Sequence, residues 1–296
     1  MKSMKFILSS MSLGFTFILT AQQTLFQNNM WSITKWCYNS DIGTINPLPA
    51  PTAGVGYDGL PATNVSNAMQ DANGDLLFFI VDNEIYDKEG YTIGDMNIAI
   101  GSSTYLKVDG TSEITIVPDP TNCSQYYIFM AGRNDYSGQA SKIPVVAILD
   151  MSQPTDYGAN LGKMGRILYC QTIQSVLPSS APDFLISNSG KQGLTFFAAS
   201  KEKEGKRFVF ISSPARIFRF VIDANGFQYD GNIQFRDYSN PSTDFIVNTY
   251  DQIPYRGEME LIGIDNDTDV KYRIAVSMPM KYNDINAPNA SSFVIV

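Results

Sequence analysis

Histidine is absent from the 296 residues, and this limits the chemistry open to the remaining side chains. Without imidazole there is no Ser-His-Asp or Cys-His nucleophile, no H-E-x-x-H zinc site and no imidazole base titrating near neutral pH. Carboxylates, phenols, amines and bound cations remain. Asp71, Asp150, Glu258 and Glu260 stand near the starts or ends of apolar runs. Two carboxyl groups flanking one glycosidic bond at a fixed separation are enough for glycoside hydrolysis. A carboxylate-based carbohydrate enzyme is therefore one reading of these residues. Solvated strand-end charges are the plainer one, and we assign no catalytic residue.

A second cluster is Asp265-Asn266-Asp267-Thr268-Asp269, which offers several oxygen ligands in a short span. That composition suits a structural Ca²⁺, with Asp265, Asn266, Asp267 and Asp269 as ligands. It lacks the glycine and the distal bidentate Glu of an EF-hand loop, and Asn and Asp also build tight turns by bonding their own backbone. A hairpin turn is the favoured reading, and calcium the one cofactor expectation. Asp71-Ala72-Asn73-Gly74-Asp75 reads still more firmly as a turn, because Asn-Gly is a hairpin signal. Lys201–Lys206 (KEKEGK) reads as a solvated turn.

Aromatic residues are abundant, with 16 Tyr, 18 Phe and 2 Trp. Tyr126, Tyr127, Phe129, Phe208 and Phe210 fall in apolar runs and read as core. Trp31, Trp36, Tyr38, Tyr57 and Tyr136 lie outside the strongest runs and are the candidate ligand-contact residues. Cys37, Cys123 and Cys170 allow one disulfide with one thiol left over, or three packed thiols. None has the C-x-x-C spacing of a zinc or redox site.

The elements that must carry these residues are strands. Short runs rich in Ile, Val, Phe and Tyr alternate with Gly, Pro, Asn and Asp, and no window shows a helical apolar period. The runs recur in order. One unit is EITIV, a turn, YYIFM, then VVAILD, over Glu113–Asp150. A second is GLTFF, a polar turn, RFVFI, then IFRFVID, over Gly193–Asp223. A third is GEMELIGI, DNDTD, VKYRIAV, then SFVIV, over Gly257–Val296. An earlier, shorter version reads SNAMQ, DANGD, LLFFIV, NEIYDKEG. Ile167–Thr172 and Ile233–Tyr238 are expected to add fourth strands to the first two units. Repeated four-stranded antiparallel units are the pattern of propeller blades. We therefore expect an all-β, propeller-like array of blades, with a two-sheet β-sandwich as the competing architecture. The closing SSFVIV is an apolar strand with no following turn, so the array is expected to be incomplete or completed by another segment.

Residues 1–21 precede this domain and have the form of an export signal. Lys2 and Lys5 lead a short apolar stretch, Phe6–Thr20, and Ala21 supplies a small residue for cleavage. The stretch is shorter than a membrane span, and no later one is longer. The mature domain is then 22–296, and losing Lys2 and Lys5 takes the formal charge from −8 to −10. An acidic chain without a basic run repels phosphate backbones, so nucleic acid is excluded as a partner.

The stretch Asp71–Gly90, DANGDLLFFIVDNEIYDKEG, resembles a recurring piece of secreted Bacteroidota proteins, the propeller-like N-terminal regions of type IX secretion cargo and gliding-associated surface proteins. That family opens with a Trp-containing strand, for which Trp31 or Trp36 is the counterpart, and carries a later pair matched by Asp87-Lys88. The phrase IVPDPTNCSQYYIFMAG, Ile116–Gly132, is similar to its second unit, and GEMELIGI and YRIAV to a later blade. The chain departs from the pattern in lacking a Phe-Gly pair after the opening tryptophan. The resemblance implies a secreted or cell-surface module that binds a protein or glycan, alone or within a larger secretion or adhesin assembly. It carries no shared catalytic set.

Overall fold

The computed structural model of the chain describes residues 30–33, 36–39, 43–51, 54–99, 105–106, 108, 113–134, 141–182, 195–213, 216–234, 259–266, 269–279 and 291–295. The expected export signal, Tyr136 and Glu258 lie outside them.

The fold is all-β, built from antiparallel blades in chain order. The first sheet joins β1 (Met30–Ile33), β2 (Trp36–Asn39) and β3 (Thr44–Pro47). The second joins β4 (Ser66–Gln70), β5 (Leu76–Val81), β6 (Glu84–Asp87) and β7 (Thr92–Asp95). A small ribbon follows, β8 (Ile98–Ala99) with β9 (Tyr105–Leu106). The third sheet is β10 (Ile114–Pro118), β11 (Gln125–Asn134), β12 (Ser141–Pro154) and β13 (Met164–Thr172). The fourth is β14 (Phe197–Ala199), β15 (Arg207–Ser212), β16 (Arg216–Asp223) and β17 (Gly226–Gln234). The fifth is β18 (Met259–Asn266), β19 (Asp269–Pro279) and β20 (Ser291–Ile295). Helix among the described residues is confined to one 3₁₀ turn, Ile173–Val176.

Within each blade every strand pairs with the one before it. Between blades the first strands are neighbours: β1 lies beside β4, β4 beside β10, β10 beside β14 and β14 beside β18. The Asn67 side-chain amide ties two of them, donating to the Ile114 carbonyl at 2.7 Å. This neighbour order is consistent with an incomplete propeller-like array of blades.

Side-chain alternation explains why the strand runs are continuously apolar. Successive residues of a strand face opposite sides of its sheet. In β5, Phe78 and Ile80 enter the core shared with the third sheet, while Phe79 and Val81 enter the core shared with the first. In β11, Tyr126, Ile128 and Met130 face one core and Tyr127 and Phe129 the next. In β15, Val209 and Ile211 face back and Phe208 and Phe210 forward. A sheet covered on both faces has no polar side, and each large side chain buried this way contributes about 1.5–3 kcal/mol. The segments Tyr126–Met130, Phe208–Ile211 and Tyr272–Val276 accordingly lie in the second strand of three successive sheets.

Two boundaries differ from the sequence reading. Of the expected strand GLTFF, the described part starts at Thr195, and the strand there, β14, runs Phe197–Ala199, pinned by pairing to Val209–Ile211. The fourth strand of that sheet begins at Gly226, well before the expected Ile233. Asp223 pairs directly with Gly226, so the chain reverses within two residues, and the Asp223 carboxylate accepts the Asn225 N–H at 2.8 Å.

Candidate functional site

The first sheet gathers three of the five aromatic candidates. Trp31 is the register partner of Tyr38, and Ile33 of Trp36. On the other side Tyr38 pairs with Ile45 and Trp36 with Pro47. Trp36 and Tyr38 therefore share one face of the sheet with Ile45 and Pro47, while Cys37 points the other way into the core shared with the second sheet. That outer face is open: Trp36 is 41% exposed, Ile45 65%, and Tyr38 is half-buried. Trp36 thus belongs to a short strand, although its sequence surroundings lack a strong strand run.

Tyr57, a candidate contact residue, is buried beneath the first and second sheets. It is 2% exposed and packs edge-on against Phe79 at 5.4 Å and Tyr86 at 5.5 Å. Its hydroxyl donates to the Leu60 carbonyl. Burial, with Asp58 and Asp82 nearby, pushes the phenol up to about 12. The segment carrying it crosses from the first sheet to the second and has no strand pattern, so sequence periodicity gives no sign of its burial.

Beside this core lies a cleft of about 280 Å³, lined on one side by Tyr57, Asp58, Leu60 and Pro61 and on the other by Asp82, Glu84 and Tyr86. Its acids are already engaged. Asp82, in the left-handed region at φ 55°, accepts the backbone N–H groups of Thr63, Asn64 and Val65 at 3.0, 2.7 and 3.3 Å. Asp58 accepts the Leu60 N–H at 2.9 Å, and Glu84 accepts the Tyr86 hydroxyl. The cleft holds the connecting segment against the β5–β6 hairpin.

The same use of carboxylates recurs along the chain. Asp71 accepts the N–H groups of Asn73 and Asp75, and Asp87 those of Glu89 and Tyr91. Asp119 holds Thr121 and Asn122, and Asp95 holds Asn97. Turn building, as expected at Asp71, is what these side chains do. Asp150 corrects the expectation of a solvated strand-end charge: it is 3% exposed. Its oxygens accept from Ser152 N–H at 2.9 Å, Ser152 hydroxyl at 2.6 Å, and the Gln125 and Gln153 amides at 3.1 Å each. Desolvation acts to raise its pKa, but these donors outweigh it and hold the group down at about 2. An acid this firmly ionised and fully partnered is poorly suited to proton transfer near neutral pH. Glu260 lies in β18.

The calcium candidates fall at the β18–β19 hairpin. Asp265 and Asn266 end β18, Asp269 opens β19 opposite Asn266, and Asp267 lies outside the described residues. No three His, Cys, Asp or Glu side chains converge on a metal-sized site among the described residues. The Lys201–Lys206 turn is solvated as expected, closed by reciprocal backbone bonds between Lys203 and Lys206.

All three cysteines are free thiols. Cys37 is buried, and desolvation raises it to about 11. Cys170 donates weakly to the Met96 carbonyl at 3.4 Å and is raised to about 12 by burial, with Asp95 adding. Cys123 is exposed on the turn after β10. A thiol-specific disulfide reagent is therefore expected to label one cysteine per native chain quickly and all three after denaturation. Fast labelling of two or more in the native state would contradict the placement of Cys37 and Cys170.

No protein-family model, curated protein or solved structure matches the chain.

Proposed function

We propose that the protein is an exported cell-surface binding module of the type IX secretion or gliding-associated kind, with the open face of the first sheet as its contact surface. The observation that carries this reading is the contrast between that face and the interior sheets. Interior sheets bury both faces in apolar cores. The first sheet buries one and leaves Trp36, Tyr38 and Ile45 on the other, and exposed aromatic groups on a rigid support are the usual anchors of recognition.

The strand order supports it further. In a four-stranded meander the second-to-third turns and the links to the next blade lie at one end. By sequence length the links between successive blades are long, and connections on a fixed scaffold are where contacts are normally placed. A carboxylate enzyme fits less well, because the described acids serve as backbone acceptors. Calcium at Asp265–Asp269 stays a structural proposal, as a brace on one hairpin.

Cell-envelope material from a Bacteroidota host is the test substrate. The purified exported chain is expected to be retained on it without releasing reducing ends, and Trp36→Ala to weaken retention about tenfold while melting like the wild type. Retention unchanged in Trp36→Ala would reject this surface. Polysaccharide turnover lost in Asp150→Asn or Glu258→Gln would replace the binding reading with the enzymatic one.

A further inference from the structure

We infer that the open face of the first sheet is a platform for a neutral glycan, stacked on Trp36 and Tyr38. The inference rests on the binding reading above and names the ligand class of the same surface. Size decides against a protein partner. Three strands of four residues each span on the order of 13 Å along the chain and 10 Å across it. The face then covers about 130 Å², whereas a stable protein–protein interface takes about 800 Å² from each partner. A sugar ring or two fits that area, and a second folded chain does not.

Chemistry narrows the ligand. The strands read MWSI, WCYN and TINP, and this is the one sheet of three or more strands among the described residues with no charged residue. Its described strand residues offer no cation to a carboxylate, sulfate or phosphate, Lys35 of the β1–β2 link lying outside them, and the chain as a whole is acidic at −8. Anionic glycans are therefore disfavoured by the long-range field and find no partner on the strands themselves. Trp36 and Tyr38, two residues apart on one strand, hold their side chains about 7 Å apart on a flat surface. A sugar presents an apolar C–H face and a polar rim, which matches aromatic rings that are buried on one side and wet at their polar tips. Ile45 and Pro47, opposite Tyr38 and Trp36, extend the apolar floor.

Both tryptophans of the chain, Trp31 and Trp36, belong to this sheet, so tryptophan emission reports on the site directly. The full exported chain is titrated with cellohexaose, mannohexaose and chitohexaose, and with polygalacturonate as the anionic comparison. At least one neutral hexasaccharide is expected to give a saturable emission change. Trp36→Ala, still reporting through Trp31, is expected to weaken binding about tenfold, and Trp36→Tyr to restore part of it, with melting unchanged in both. No saturable change with any neutral sugar into the millimolar range overturns the inference. So does an emission change that follows protein concentration alone, which assigns the face to self-association, or equal binding of polygalacturonate. Retention on envelope material that depends on Trp36 but is not competed by the sugars overturns the glycan while leaving the binding surface in place.

Discussion

Asp150→Ala is expected to remove about 2 kcal/mol of stability at neutral pH, a large share of what a domain has in total. The carboxylate sits where the β12–β13 ladder breaks register, between Asp150 and Pro154. At that break the Ser152 N–H loses its place in the ladder and turns to the Asp150 side chain instead. Removing the side chain takes the acceptor from that N–H, the Ser152 hydroxyl and two glutamine amides at a part-buried site, where water replaces only some of the lost bonds. The pKa leads to a similar figure. Lowering the group from 3.8 to about 2 corresponds to on the order of 2 kcal/mol of preference for the ionised form. Its folded pKa is depressed, so that stability is fully present above the unfolded value and is lost as pH falls toward about 2. Urea melts of wild type and variant at neutral pH and across this acid window check both parts. The variant should be weaker at neutral pH, and the gap should close on acidification. A variant with wild-type stability and the same acid slope would show that the four donors find water instead.

Asp150 also shows where sequence reading stops. Its run, VVAILD, is legible as a strand because double-sided burial makes nearly every residue apolar. Burial of the acid itself depends on Gln125, its register partner across β11 and far away in the chain, and no local pattern reveals that. Tyr57 escapes for the same reason: its neighbours Phe79 and Tyr86 come from strands downstream, and the segment around it is irregular. The first sheet is hidden for a different one. Four-residue strands with Asn, Ser and Thr among the aromatics fall below any apolar-run criterion. The signals present are the W-x-Y alternation at Trp36 and Tyr38 and the lack of charge across three short segments. Blade order, by contrast, can be read directly from repeated hairpins, since each turn is written locally in Asp, Asn and Gly. The Asp223–Gly226 turn carries the same signal in Asp-Ala-Asn-Gly, and only by reading it as a hairpin does the strand after it start in the right place.

Gly90→Ala is expected to cost about 3 kcal/mol or more and to loosen the first sheet from the second before the rest unfolds. Gly90 has a φ of 87°, where a side chain is strained, and a Cβ there would lie 2.1 Å from the Pro49 carbonyl oxygen and 2.7 Å from the Pro51 ring. Neither neighbour can swing aside, because one is backbone and the other a proline ring. The crossing is tight on the far side too: Tyr57 N–H donates to the Gly90 carbonyl at 2.9 Å, and Gly56 bridges Tyr91. Three stretches of chain meet at this point, and together they hold the segment leaving β3 against the β6–β7 turn. Gly158→Ala is the control, since Gly158 has a φ of 57° and a Cβ added there would meet nothing within 4 Å. Strain alone should cost that variant about 1 kcal/mol. The difference between the two isolates the collision at the crossing. Because both tryptophans lie in the first sheet, their emission should shift at lower urea than the far-ultraviolet signal in Gly90→Ala, while the two coincide in Gly158→Ala. Equal losses in the two variants, with coincident transitions in both, would mean that the crossing does not anchor the first sheet. The platform carrying Trp36 would then owe its position to the β1–β4 neighbourhood and the apolar core behind Cys37.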